Sequence, residues 1–253
     1  MQLLSDHNKE CFDQQPWISN DSRHWVPHIL INDQKQQRLI FCQEQLKKYN
    51  HGKAKATYNI VTCNESWIYI YQPKIRLQGK VWVDEDSDEV VQPRRNSSTK
   101  KFIITIFFVK KGILYSNVKP QNINATADYY INECLQPMIL EWKKQHPKLS
   151  LANLTLHQDN ATPHTSHSTK SFIQHAGFQT MQAPPYSPDI SPCDFWLLPR
   201  IKGALAGRMF DSLKQVQVDW NEELSKLQSE DSNKSFDAWF DMMSLVVSVD
   251  GNC

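Results

Sequence analysis

Two apolar runs joined by a tight turn set the first constraint. "KFIITIFFV" (Lys101 to Val109), the turn Lys110-Lys111-Gly112 and "ILYSNVK" read as a β-hairpin, because β-branched and aromatic residues fill both arms. The segments downstream of the hairpin decide the rest of the sheet. Thr126 to about Gln145 reads as a helix, with Thr126 as its candidate cap and Pro137 expected to kink it. "LANLTLHQD" (Leu151 to Asp159) reads as a strand, "HTSHSTKSFIQHAG" as a helix stopped by Gly177, and "FQTMQA" as a short strand. Upstream, "YNIVTCNESWIYIY" (Tyr58 to Tyr71) is rich in β-branched and aromatic residues and reads as another strand.

A hairpin that feeds alternating strands and helices indicates an α/β chain with a mixed sheet covered by helices. The order is compatible with a ribonuclease H-like fold. An N-terminal linker helix is expected over "NDQKQQRLIFCQEQLKKYN", capped by Asn32 or Asp33, with Leu39, Cys42 and Leu46 on one face. After the Pro-rich turn "PPYSPDISP", a helix starts near Cys193. Leu213, Val216, Trp220, Leu224 and Leu227 recur at helical spacing, as do Phe236, Trp239, Phe240 and Met243, giving a C-terminal helical extension. Residues 77–100 turn from acidic to basic to Ser-rich and read as a loop excursion.

Composition narrows the function classes. The 253 residues are 40% hydrophobic with eight Trp and seven Gly, which fits a folded domain rather than a disordered chain. No run of about 18 apolar residues exists, so no membrane span is expected, and the start lacks the pattern of a signal peptide. The six cysteines show no C-x-x-C pair, which suggests neither a disulfide framework nor a zinc knuckle. His157, His164 and His167 fit no standard zinc spacing. The net charge of +1 is low for a module that lives on DNA phosphates, so any such role must come from a site.

Candidate chemistry centres on "LTLHQDNATPHTS", where an apolar strand ends on Asp159. Alone, Asp159 reads as a turn former and Asp194 as a first-turn helix acid. Thirty-four residues lie between them. If both reach one end of the sheet, the long first strand brings "TCNESW" toward them.

Several blocks then carry a resemblance. "WVPHIL", "HQDNATPHT", "PPYSPDISPCDFWLLPRIK", "GRMFDS" and the tail "SFDAWFDMMSLVVSVDG" are similar, in this order, to blocks of mariner-family DNA transposases and to the transposase-derived part of a histone methyltransferase–mariner fusion protein. The resemblance runs from about His24 to Gly251 and implies a nuclear protein that cleaves and joins DNA strands, with three acids holding two Mg²⁺ or Mn²⁺ ions. It places the second and third acids at Asp159 and Asp194. The first falls on position 64, where this chain has Asn64. The resemblance further implies DNA contacts at Asn160, His164, Arg94, Arg95, Lys100, Arg200, Lys202 and Arg208, although a solvated charge run or a simple turn explains several of these equally well. It also implies a homodimer formed through the linker and loop 77–100. Residues 1–56 are expected to be a remnant N-terminal segment and linker without a complete helix-turn-helix domain, and residues 57–253 the catalytic domain.

The Asn64 departure has a physical consequence. Two hard dications about 3.5–4 Å apart repel unless anionic oxygens neutralise them. Three carboxylates leave one formal positive charge uncompensated, whereas two carboxylates and an amide leave two. Glu65 is not expected to substitute, since neighbouring strand residues face opposite sides of a sheet. The expectation is therefore an impaired catalytic domain, with a non-catalytic DNA-binding or dimerisation module as the alternative.

Overall fold

The computed structural model describes residues 29–70, 101–120 and 126–252. The sheet grows from β1 (Ile60–Tyr69), whose long run of β-formers pairs antiparallel with β2 (Lys101–Val109) from Val61↔Val109 to Tyr69↔Lys101. β2 turns at Lys110-Lys111 into β3 (Gly112–Pro120), completing the expected hairpin with a bulge at Phe107/Phe108. On the other side of β1 lie the short parallel strands β4 (Thr155–Gln158) and β5 (Gln179–Gln182). The order β3-β2-β1-β4-β5 is the mixed sheet expected from the sequence.

Both faces of this sheet are covered. On one face Ile104, Ile106 and Phe108 pack with Cys42 and Leu46 of α1 (Asn32–Lys48), with Trp220 of α6 (Leu213–Ser225), and with Phe236, Trp239 and Phe240 of α7 (Ser229–Ser248). On the other, Val61, Cys63, Phe107 and Leu156 pack with Tyr130, Leu135 and Trp142 of α2 (residues 127–145) and with Ile173 of α4 (His167–Ala176), which follows the short α3 (Thr162–Thr165). Fully burying a side chain of this size contributes roughly 1.5–3 kcal/mol. Alternate residues of β2 serve opposite cores, so its near-continuous apolar sequence is a consequence of its central position.

Two prolines shape the helices in a way the sequence reading did not anticipate. α2 starts at Ala127–Tyr129, capped by the Thr126 hydroxyl accepting the Tyr129 N–H at 3.2 Å, and ends in Gln136–Gln145. Between these parts, just ahead of Pro137, lies a wide π-type turn over Tyr130–Leu135. Proline lacks an N–H and crowds the carbonyl four residues back, here that of Glu133. That carbonyl is taken instead by Tyr115 Oη at 3.0 Å and Asn117 Nδ2 at 3.1 Å, both on β3. The same device recurs in α5, where a π-type turn Cys193–Leu197 precedes the α-helical Leu198–Leu205 with Pro199 near its start. Asp194 stands on that turn.

Two further expectations are corrected. Neither Asn32 nor Asp33 caps α1; Ile31 precedes the first turn, and its backbone N–H donates to Gln34 Oε1 at 3.1 Å. Leu39 is only partly buried, and Arg38 takes the core-facing position. The stop at Gly177 holds: its φ of +82° is open to glycine, and its N–H closes α4 on the Ile173 carbonyl at 3.0 Å. Among the described residues no helix is long and apolar enough to cross a membrane. Loop 77–100 lies outside the described residues.

Candidate active site

Asn64 leaves the middle of β1, Asp159 directly follows β4, and Asp194 rides the first turn of α5. These segments converge. Asn64, Asp159 and Asp194, with Asn160, Ser191 and the Pro184–Pro188 loop, line one cleft of about 420 Å³.

The contacts inside it are specific. Asn64 Nδ2 donates to Asp194 Oδ1 at 2.5 Å, and Asn64 Oδ1 accepts the Glu65 backbone N–H at 2.7 Å. Asp159 Oδ1 accepts the Ala161 N–H at 2.9 Å and meets His164 Nδ1 at 2.6 Å. The other ring nitrogen of His164 lies 3.2 Å from Glu65 Oε2. Glu65 therefore points away from Asn64, as strand alternation requires, toward the face where the Tyr130 ring lies tilted against His164 with centroids 4.2 Å apart. The result is a bridge, Glu65–His164–Asp159, that ties β1 to the end of β4.

Burial and charge act on each group differently. Burial lowers the pKa of His164, but its two carboxylate partners outweigh this and raise it to about 10, so the bridge carries an imidazolium. Burial would raise Asp159, but the bond and charge of His164 prevail and hold its carboxyl below the usual range. Asp194 is raised, first by burial and further by Asp159 and Glu65, against hydrogen bonds from Ser191 and Asn64. Asp159 is thus held ionised by the protein, while Asp194 gains from any added positive charge.

These contacts bear on a divalent metal pair. The Asn64 oxygen is committed to a backbone N–H, so its amide hydrogens face Asp194 where a two-ion centre needs an anionic oxygen. Among the described residues no group of three His, Cys, Asp or Glu side chains has the geometry to hold a metal ion. The residues present do not fit a two-ion centre.

The remaining candidates spread out. Asn160 borders the cleft and donates to the Ala183 carbonyl at 2.7 Å. His164 borders the site from within, with only 2% of its side chain exposed, which leaves it no surface for DNA. Lys202 is half-buried, and burial lowers its pKa against the attraction of Asp194. Arg200 pairs with Asp231 at 3.0 Å, and Arg208 with Asp219 at 3.1 Å and Glu223 at 2.7 Å, so both are spoken for within the fold. Arg94, Arg95 and Lys100 lie outside the described residues.

The sequence reading missed two groups. The Glu65–His164 contact spans 99 positions and gives no local signal. Arg38 donates to both oxygens of Asp189, at 2.7 and 2.6 Å, and to the Gly251 carbonyl at 3.3 Å, bracing the loop that walls the cleft. A signal for Arg38 existed: it lies four and eight residues before Cys42 and Leu46, a charge on the apolar stripe of α1.

Comparison with known proteins bears on the sequence and the fold. Residues 73–150 match a family model described as "Transposase (partial DDE domain)". The Mariner Mos1 transposase of Drosophila mauritiana is 29% identical over 206 residues, covering 79% of this chain and 56% of that protein. The histone-lysine N-methyltransferase SETMAR of Homo sapiens is 28% identical over 202 residues, covering 78% of this chain and 28% of that protein. The chain thus spans about half the length of the first relative and about a quarter of the second. In three dimensions it resembles the catalytic domain of Mos1 mariner transposase, with a TM-score of 0.71 and 22% identity over 90% of this chain and 99% of that one. It also resembles the Mos1 transposase paired-end complex with left transposon end, with a TM-score of 0.81 and 24% identity over 99% of this chain and 70% of that one. In sequence the chain is similar to mariner-family transposases, and its fold is that of their catalytic domain.

Proposed function

We propose that this chain is a transposase-type DNA strand-cleaving and strand-joining domain whose metal-dependent chemistry is impaired at Asn64. The observation that carries this reading is the shared cleft: two acids and one amide, from three elements far apart in sequence, line the same cavity. The partner is DNA and the compartment the nucleus. Mos1 itself has been solved as paired-end complexes with Mn and with Mg, which supports a divalent ion as the original cofactor of this cleft. Such an ion supplies charge stabilisation to phosphoryl transfer.

Within this reading His164 keeps Asp159 ionised and oriented, the wide turn before Pro199 presents Asp194, and Asn64 satisfies Asp194 in the place of a positive charge. The chain's own bond at Asn64 weakens the reason for a cation to bind. That also favours a second reading, a non-catalytic DNA-binding or dimerisation module derived from a transposase.

Supercoiled plasmid nicking in Mn²⁺ decides between them, comparing the natural chain with Asn64→Asp. The expected result is little or no nicking by the natural chain and metal-dependent nicking by the variant. Absence of nicking by both, with metal-free DNA binding retained, favours the binding module. Equal, metal-independent nicking by both defeats the site assignment.

A further inference from the structure

The charges of this chain are sorted along its sheet. β1, β4 and β5 run parallel, and each is entered from a helix, α1, α2 and α4 respectively. The ends of these helices and the connections after them therefore gather where the three strands begin. The β2–β3 turn joins them there, since Val109 pairs with Val61 near the start of β1. Lys48 Nζ lies 3.4 Å from Oε1 of Gln179, the first residue of β5, which ties α1 to the same pole. Asp159 marks the opposite end, where β4 finishes.

This pole is basic. Lys47, Lys48, Lys53, Lys55, Lys111 and Lys148 are exposed on it, and none forms an ion pair among the described residues. The stretches from Lys47 to Asn59 and from Trp142 to Gln158 contain no acid. Glu44 lies one turn before Lys47 and Lys48 on α1, and two further acids, on α2 and α7, are already neutralised. Glu141 is held by Lys144 at 2.6 Å and Asp237 by Lys110 at 2.7 Å. Helix dipoles account for Lys47 and Lys48 at the end of α1. They do not account for Lys53, Lys55, Lys111 and Lys148, which lie outside the α-helices. Tyr58, 41% exposed, sits among them with Lys111 Nζ 5.8 Å from its ring.

We infer that this pole is a docking surface for the phosphate backbone of duplex DNA, separate from the cleft that holds Asn64, Asp159 and Asp194. The lysines come from three separate segments and act as point charges, which suits an extended array of phosphates more than one enclosed anion. No arginine stands in these segments to fork onto a base edge, so the contact is independent of sequence. The near-neutral net charge of the chain conceals the surface because the acids are placed elsewhere.

The test is fluorescence anisotropy of a short labelled duplex in EDTA, between about 50 and 200 mM salt. EDTA separates this binding from the metal site, so plasmid nicking by Asn64→Asp can fail while the surface still binds. The triple variant K53E/K55E/K111E is expected to bind tenfold or more weaker, and its log–log salt slope to shrink by about 2–3, since each phosphate contact contributes roughly 0.9. Lys214→Glu, at an exposed lysine of α6, is expected to match the natural chain. If circular dichroism shows the triple variant unfolded, K53Q/K55Q/K111Q replaces it, with a smaller loss in the same direction. Unchanged affinity and slope overturn the inference. So does tighter binding of the natural chain to phosphatidylserine vesicles than to DNA at equal salt.

Discussion

Asn64 and Asp194 are joined side chain to side chain across 130 residues, with the amide nitrogen 2.5 Å from a carboxylate oxygen. The orientation is forced, because the backbone N–H of Glu65 only donates and so claims the amide oxygen. An aspartate at this position sets two carboxylates face to face, a pair that requires a proton or a cation between them.

Asn64→Asp is therefore expected to couple stability to metal. In EDTA the variant loses a hydrogen bond and gains repulsion, about 1–2 kcal/mol, which lowers Tm by roughly 2–8 °C for a chain of this size. Saturating Mn²⁺ at about a hundred times its Kd returns about 2.7 kcal/mol. The natural chain is expected to shift by less than about 1 °C. Differential scanning fluorimetry with and without Mn²⁺ checks this, and an equal metal response of both proteins counts against it.

Two histidines give the fold opposite pH limits. Burial between Thr62 and Trp239 lowers the pKa of His157 to about 3, against a small opposing pull from Asp159, so the ring is neutral in the folded state. An unfolded histidine binds its proton below about 6.5, so stability falls from there down to about pH 3, at up to roughly 1.4 kcal/mol per unit. His164 behaves inversely. Its folded pKa of about 10 means its contribution is complete below 6.5 and disappears as pH rises toward 10. Urea titrations across pH are expected to show an acid limb flattened in His157→Gln and an alkaline limb flattened in His164→Gln.

Removing Arg38 strands Asp189. The pair is bidentate, and the Arg38 side chain is 1% exposed, so Arg38→Met leaves the Asp189 carboxylate without its cation. The expected loss is about 3–5 kcal/mol, and the double variant Arg38→Met/Asp189→Leu is expected to recover part of it. Denaturant unfolding of the four proteins gives the coupling energy. An additive pair excludes the proposed brace.

The thiols of Cys42 and Cys134 are each pushed up to about 12, foremost by burial, and those of Cys63 and Cys193 are raised too. At pH 8 this leaves on the order of a thousandfold fewer thiolates than a free cysteine holds. Iodoacetamide with peptide mapping is expected to leave these four unlabelled in the native protein and labelled in urea. Native labelling of any of them locates a local opening.

Local pattern was enough for the sheet and for most of the helices. Alternation and β-branching marked β1 and the hairpin, the spacing of Val216, Trp220, Phe236, Trp239 and Phe240 marked α6 and α7, and Gly177 marked the end of α4. These are short-range signals, written wherever backbone preference and burial agree. The amino-acid sequence also determined the residue types of the site, including an amide at position 64. Only the tertiary structure decided what those residues do to one another. That Asn64 meets Asp194, that His164 reaches Glu65 as well as Asp159, and that Arg38 holds Asp189 depends on contacts across 99 to 151 positions. Charge and hydrogen bonding act through space, so their effect is set by which strands lie side by side and where each helix ends.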